Sequence, residues 1–405
     1  MSGSPQALAG VKVVVVGGYA AGPWIGKLLA NFGATVVHVE SRERPDGFRL
    51  QYPPFKDGKK GINRSGCFAY FNDSKYAITL DVKKPGGVGL ARRLTDWCDV
   101  LIENMRSGVI ERIGLGLETL RKTNPDLIML STCNMGQTGP RAHTPGFGSQ
   151  LSALAGFCGL TGIAAGPPML LYGPYIDFIA ALEGASAVLA ALDRRRRTGE
   201  GAYIDVAQYE SGLTFLAGAF CDYHATGRIA ERSGNDDAQA APHGAYPCRD
   251  DQWLALSCWS DEEFTKLAEC AGHAEWAAEA RFSDADARRA NKAELEEAIA
   301  AWSAGEEAGE AAAALQAAGV HAHRVNTIAD LFGDPQLGHR RTWRVRPHPE
   351  IGDQSYYFPG FDLSETPGDV TQAAPVLGQD NDLVFRDFLG LTEEEYRDYQ
   401  SKGVI

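Results

Sequence analysis

The chain has 405 residues, 44% apolar and 22% charged, with a formal net charge of −13. This length exceeds one ordinary core and calls for two domains, or one large domain with an insertion; the composition is globular, not disordered. The acidic balance argues against a nucleic-acid or anionic-membrane surface, so any basic site for an anion has to be built locally.

The opening MSGSPQALAG lacks the basic start and apolar stretch of a secretion signal, and the expected address is the cytoplasm. VKVVVV (11–16) reads as a buried strand, then come a glycine turn, a helix from Pro23 to Asn31 and a second strand, TVVHVE, over 35–40. The alternation continues through DVLIEN (99–104), LETLRKTNP (117–125) and DLIMLS (126–131), which predicts a parallel sheet with helices on its faces. A long helix follows from about Asp177 to a stop at Gly199. Its apolar residues are nearly continuous, predicting burial on most sides, and Arg194 to Arg197 complement the negative end of its dipole. No apolar run reaches the roughly 18–20 residues of a bilayer span. YIDVAQYE (203–210) resumes a strand and leads into a helix.

SGNDDAQAAPHG (233–244) reads as a linker or mobile loop, and AYPCRDDQWLALSC as a hairpin turning near Asp250 and Asp251. Alanine- and glutamate-rich helices then run to about residue 318, VHAHRV (320–325) gives a strand, and a last helix starts at Thr392. The eight cysteines show no CxxC pair or framework spacing and fit reduced thiols. The nine histidines form no HExxH, and His321 and His323 have no evident third ligand, so no metal is expected.

Two places invite chemistry. The turn Gly17-Gly18-Tyr19-Ala20-Ala21-Gly22 half-matches a dinucleotide fingerprint, with Glu40 where a ribose-binding acid would sit. Tyr19, however, stands where the second glycine is needed for a pyrophosphate to approach the backbone. Asp177 lies between apolar residues at a helix start. It suits either an N-cap or a carboxylate facing oriented N–H groups that stabilise developing negative charge.

At this point the chain resembles the class III (CaiB/BaiF-type) coenzyme A transferases. The resemblance runs from LAGVKVVVVGGYAAGPWIGKLLANFGATVVHVE and NDSKYAITLDVKKPGG through DVLIENMRSGVIERIGLG, NPDLIMLSTCNMGQTGP and YGPYIDFIAALEGASAVLAALDRRRRTGEGAYIDVAQYE to APVLGQDNDLVFRDFLGLTEEE. It implies a Rossmann-like α/β large domain with a smaller α+β domain, in an interlocked, ring-like dimer. The large domain would span 1–205 and receive the C-terminal return, 346–405; the small domain would be 236–322, with linkers at 206–235 and 323–345.

The resemblance also implies that Asp177 is the catalytic nucleophile and that Arg42, Lys75, Asn104, Met105 and Arg112 contact coenzyme A. Gln137 in GQTGP is a candidate for positioning the nucleophile or an acyl oxygen. The partners implied are an acyl-CoA, a carboxylic acid and a second copy or paralogous subunit, with no permanently bound cofactor and no nucleic acid or membrane.

Several departures shape this expectation. Ala20 and Cys133 stand where formyl-transferring members carry glutamine and lysine, and SGNDDAQAAPHG has no glycine run for a lid. GQTGP and STCNMG look more like members acting on succinate and substituted succinates. Succinyl-CoA is therefore the favoured donor, and benzylsuccinate or a similar dicarboxylate the acceptor. The related α-methylacyl-CoA racemases need a histidine where this chain has Phe147, and His143 lies four residues earlier. Racemase chemistry is thus the weaker alternative, beside a non-catalytic subunit of a heteromeric transferase.

Overall fold

A computed structural model describes residues 6–405, which divide into two compact units. The larger reaches to Phe157, resumes over Leu170–Arg228 and closes with Pro335–Ile405; the smaller comprises Cys158–Met169 and Ile229–Asp334.

The larger unit is built on six parallel strands: β1 (Lys12–Val16), β2 (Thr35–Glu40), β3 (Tyr76–Thr79), β4 (Val100–Glu103), β5 (Ile128–Cys133) and β6 (Ala202–Ala207). Their order is β3-β2-β1-β4-β5-β6. The two-residue period of a strand sends successive side chains to opposite faces, so each central strand feeds two cores. Val13 and Val15 enter one, with Ile102 and Leu130; Val14 enters the other, with Leu101 and Met129. The first core is covered by α1 (Ala21–Asn31) and a later long helix, the second by α2 (Gly87–Trp97) through Leu90 and Leu94. Short α3 (Gly148–Leu154) precedes that long helix, α4 (Tyr175–Thr198).

α4 begins two residues before Asp177 and ends at Gly199, whose φ of 75° closes it in a left-handed cap. By length and composition it could cross a membrane. Instead Ala180, Ala181 and Val188 pack into the first core. The expectation of burial on most sides needs correction, because Leu182 and Leu189 are 56% and 46% exposed in the single chain. Periodicity reports apolar faces; it does not say what covers them.

The chain end returns to the sheet. Asp380 Oδ2 and Asn381 Oδ1 accept the N–H groups of Ala77 and Thr79, both at 2.8 Å, satisfying the edge strand β3 that would otherwise offer a free ladder. Val404 and Ile405 join the second core.

The smaller unit carries an antiparallel sheet of β7 (His243–Pro247), β8 (Trp253–Ser257) and β9 (His321–Arg324). Its helices pack Phe264, Leu267, Leu295 and Leu315 against that sheet. The expected hairpin turns at Asp250 and Asp251, both with positive φ. A further hairpin, β10 (Trp343–His348) and β11 (Gly352–Tyr357), belongs to the larger unit.

Candidate active site

In an open parallel sheet, ligands gather outside the carboxyl ends of the strands where the strand order reverses, here between β1 and β4. Asn104 occupies this crevice. Its Nδ2 donates to Gly18 O at 2.7 Å, and a Cβ on Gly17 or Gly22 would lie 2.0 or 2.8 Å from its Oδ1. The glycines of the half-matched fingerprint therefore seat an internal amide. Glu40 is consumed as well: Arg49 donates to it from Nε at 2.8 Å and Nη2 at 2.7 Å, with both side chains buried. Neither half of a dinucleotide fingerprint remains open to a ligand.

The cations separate into two kinds. Arg42, after β2, and Arg112, in the turn following β4, are exposed and unpaired with any acid among the described residues. Lys75 is different and corrects the expectation made for it. It is fully buried, and its ammonium donates to Pro23 O at 2.6 Å, Asn72 Oδ1 at 2.8 Å and Phe71 O at 3.0 Å. All three donors are spent inside the protein, and desolvation pushes its pKa down to about 7. Lys75 precedes β3, at the amino end of the strand; the exposed Lys83 and Lys84 follow it, at the edge where ligands bind. Met105 is half-buried, its N–H held by Glu103 Oε2 at 2.9 Å.

Asp177 is not the N-cap of α4. Pro174 holds that position, leaving the carboxylate in the first turn. Ile176 before it is fully buried, and Phe178 after it packs edge-on to Trp24 at 4.9 Å and stacks on Phe71 at 5.5 Å, so the helix start is fixed on both sides. The Oδ2 atom is buried with no hydrogen-bond partner among the described residues, and a Cβ on Gly148 would lie 2.4 Å from it. Burial pushes the carboxyl up to about 6, only partly offset by a backbone N–H. An under-solvated carboxylate of this kind is a more reactive nucleophile than one in water.

Gln137 is pinned at three points. Its N–H donates to both Asp205 oxygens at 3.1 and 3.0 Å, its carbonyl accepts Ser107 Oγ at 2.8 Å, and its Nε2 makes a long bond of 3.4 Å to Glu103 Oε1. Burial pushes the Glu103 carboxyl up to about 7. No direct hydrogen bond joins Gln137 to Asp177 among the described residues. Both are reached from the end of β5, since Asn134 Nδ2 donates to Gly146 O at 2.9 Å, two residues before Gly148.

A family model described as CoA-transferase family III matches residues 8–381. The chain belongs to that family. This CoA-transferase is 36% identical over 401 residues to the succinyl-CoA–D-citramalate CoA-transferase of Chloroflexus aurantiacus, covering 99% of this chain and 98% of that one. It is 33% identical over 404 residues to the succinyl-CoA–L-malate CoA-transferase beta subunit of the same organism, covering 98% of each. A CAIB/BAIF family protein from Brucella suis superimposes with a TM-score of 0.88 at 30% identity, over 95% of this chain and 100% of that one.

As a CoA-transferase the protein takes CoA thioesters as substrates. The sequence reading missed Gly148 beside Asp177 and the acids Glu103 and Asp205 that pin Gln137. A signal existed for Glu103, as the last residue of an apolar strand at the ligand edge. None existed for Gly148, whose meaning depends on a contact 29 residues away in sequence.

Proposed function

We propose that Asp177 is a covalent nucleophile that carries coenzyme A from succinyl-CoA to a second dicarboxylate. The observation that carries this reading is its buried carboxyl oxygen, without a hydrogen-bond partner among the described residues, beside a glycine at the ligand edge of the sheet. The carboxylate attacks the donor thioester, forming an acyl–oxygen bond and expelling coenzyme A thiolate. The thiolate attacks the aspartyl carbonyl, releasing succinate and leaving an aspartyl thioester. The acceptor carboxylate then displaces the thiolate to form a second anhydride. The thiolate attacks the acceptor's acyl carbon, giving the new acyl-CoA and restoring Asp177. Every intermediate stays activated, so no nucleotide triphosphate is consumed.

Arg42 and Arg112 are assigned to the phosphates of coenzyme A, where unpaired cations offset the acidity of the rest of the chain. Relatives named for succinyl-CoA with citramalate or malate support a dicarboxylate acceptor. Benzylsuccinate, the acceptor expected from GQTGP and STCNMG, belongs in the same test panel. The second chain is a copy of this one or a paralogue, a choice prompted by the relative that is named as a beta subunit.

The test is a mass-spectrometric screen of citramalate, malate, glutarate and benzylsuccinate against succinyl-CoA, using the polypeptide purified alone. Asp177→Ala should abolish transfer while coenzyme A still binds. Near-normal turnover by that variant would end the covalent scheme, and inactivity of the wild-type chain alone would favour a heteromer.

A further inference from the structure

Tyr19 follows β1 with a φ of 64°, a left-handed conformation that a bulky side chain rarely adopts and that a fold retains only where its surroundings enforce it. The surroundings here do enforce it. Asp46 Oδ1 accepts the Tyr19 N–H at 3.0 Å, and the hydroxyl donates to Gln51 Oε1 at 2.9 Å. The ring lies over Gly47, where a Cβ would come within 2.3 Å of it, and meets Phe48 and Tyr52 edge-on at 5.5 and 6.3 Å. A further aromatic neighbour is Phe147, at 5.7 Å. Phe147 is 57% exposed and immediately precedes Gly148, the residue that lies against Asp177 Oδ2.

We propose that Tyr19 is a positioning residue: through Phe147 it latches Gly148 over the Asp177 carboxylate and keeps water away from the covalent intermediates formed there. This rests on the reading of Asp177 as nucleophile. Water attacking the acyl carbon of the anhydride would form free acid and regenerate Asp177, so that succinyl-CoA and water become succinate and coenzyme A. The latch makes transfer win over that hydrolysis. The backbone strain at Tyr19 and the glycine beneath its ring both serve one end, a fixed ring edge for Phe147 to rest on.

The experiment uses succinyl-CoA with 13C-labelled succinate, following label exchange into succinyl-CoA and, separately, release of free coenzyme A. In Tyr19→Ala and Phe147→Ala the exchange kcat should fall roughly ten- to a hundredfold, the scale of an ångström's misplacement at a reacting centre, with KM little changed. The ratio of hydrolysis to exchange should rise by a similar factor. Tyr19→Phe keeps the ring and should restore the ratio most of the way. Because Phe147 is largely exposed, its variant separates the latch from a folding defect. A wild-type ratio in both alanine variants, with Asp177→Ala inert, would overturn the latch and leave the nucleophile standing. Exchange by Asp177→Ala would overturn both.

Discussion

Gly148 and Asp177 are mutually exclusive with any larger pair: a methyl group on Gly148 would lie 2.4 Å from Asp177 Oδ2, far inside contact distance. The next contacts, Cα and Cβ of Pro174 at 3.3 Å, are tight but much milder, and the clashing atom is the free end of a side chain. The cheapest response to Gly148→Ala is therefore rotation of the carboxylate away from its place.

That predicts an activity defect without a stability defect. Gly148→Ala should lose about a hundredfold in kcat, the scale of an ångström's misplacement. Its thermal midpoint should stay close to wild type. A steady-state assay beside a melting curve checks both halves, and a variant that melts early but works normally would contradict the geometry.

Burial raises the Asp177 carboxyl from 3.8 to about 6, so the folded state holds this proton more tightly than the unfolded state does. The associated stability is present below pH about 4 and is lost as pH rises toward about 6, leaving a buried charge at neutral pH. Asp177→Asn removes that charge. It should be more stable than wild type at pH 7 by about 1–3 kcal/mol, with the difference vanishing near pH 4. Denaturant titrations at the two pH values measure this directly.

The same ionisation sets a limb of the activity profile. If the carboxylate is the attacking form, kcat/KM should rise through pH about 6 and level off above it. Asp177→Glu, if active, should shift the limb. A profile with no limb between pH 5 and 7 would detach the chemistry from this residue.

Much of the larger unit was legible because parallel strands buried on both faces leave continuous runs such as VKVVVV and DLIMLS, and their turns carry glycine. Gly199 stopped α4 and Thr392 capped the last helix, each for a local reason. What could not be read depends on distant contacts. Lys75 was assigned to coenzyme A by resemblance, which carries a position along the chain but not the burial of its ammonium against Pro23, Phe71 and Asn72. Glu40 matched a ribose-binding acid until Arg49 was seen folded onto it. Asp177 was legible as a candidate, while its glycine neighbour was not.

Lys75 and Arg112 should therefore respond oppositely to substitution. Lys75→Met leaves the carbonyls of Pro23 and Phe71 without their ammonium donor in a dry interior, at a cost of about 1–3 kcal/mol for each acceptor left unpaired. Its melting temperature should drop while KM for acyl-CoA in the folded fraction is unchanged. Arg112→Ala should keep the melting temperature and raise KM several-fold, with the difference shrinking at high salt as phosphate attraction is screened. If Lys75→Met weakened acyl-CoA binding without loss of stability, its assignment to the interior network would fail.

The outer face of α4 gives the last prediction. Leu182 and Leu189 stand two turns apart on it and line an apolar cavity of about 700 Å³ with Trp24, Tyr357 and Phe361. Apolar groups this large and contiguous are costly to leave in water, and a protein with net charge −13 has ample polar surface with which to avoid it. A second chain that covers this face resolves the cost. The wild-type protein should run as a dimer, or as a heterodimer once a paralogue is supplied, in light scattering. Leu182→Asp combined with Leu189→Asp should shift it to monomer, because two carboxylates would have to be desolvated together at the contact. Folding within the chain should survive, since neither side chain belongs to the core of α4. A double variant that remained dimeric with wild-type dissociation would place the contact on another face.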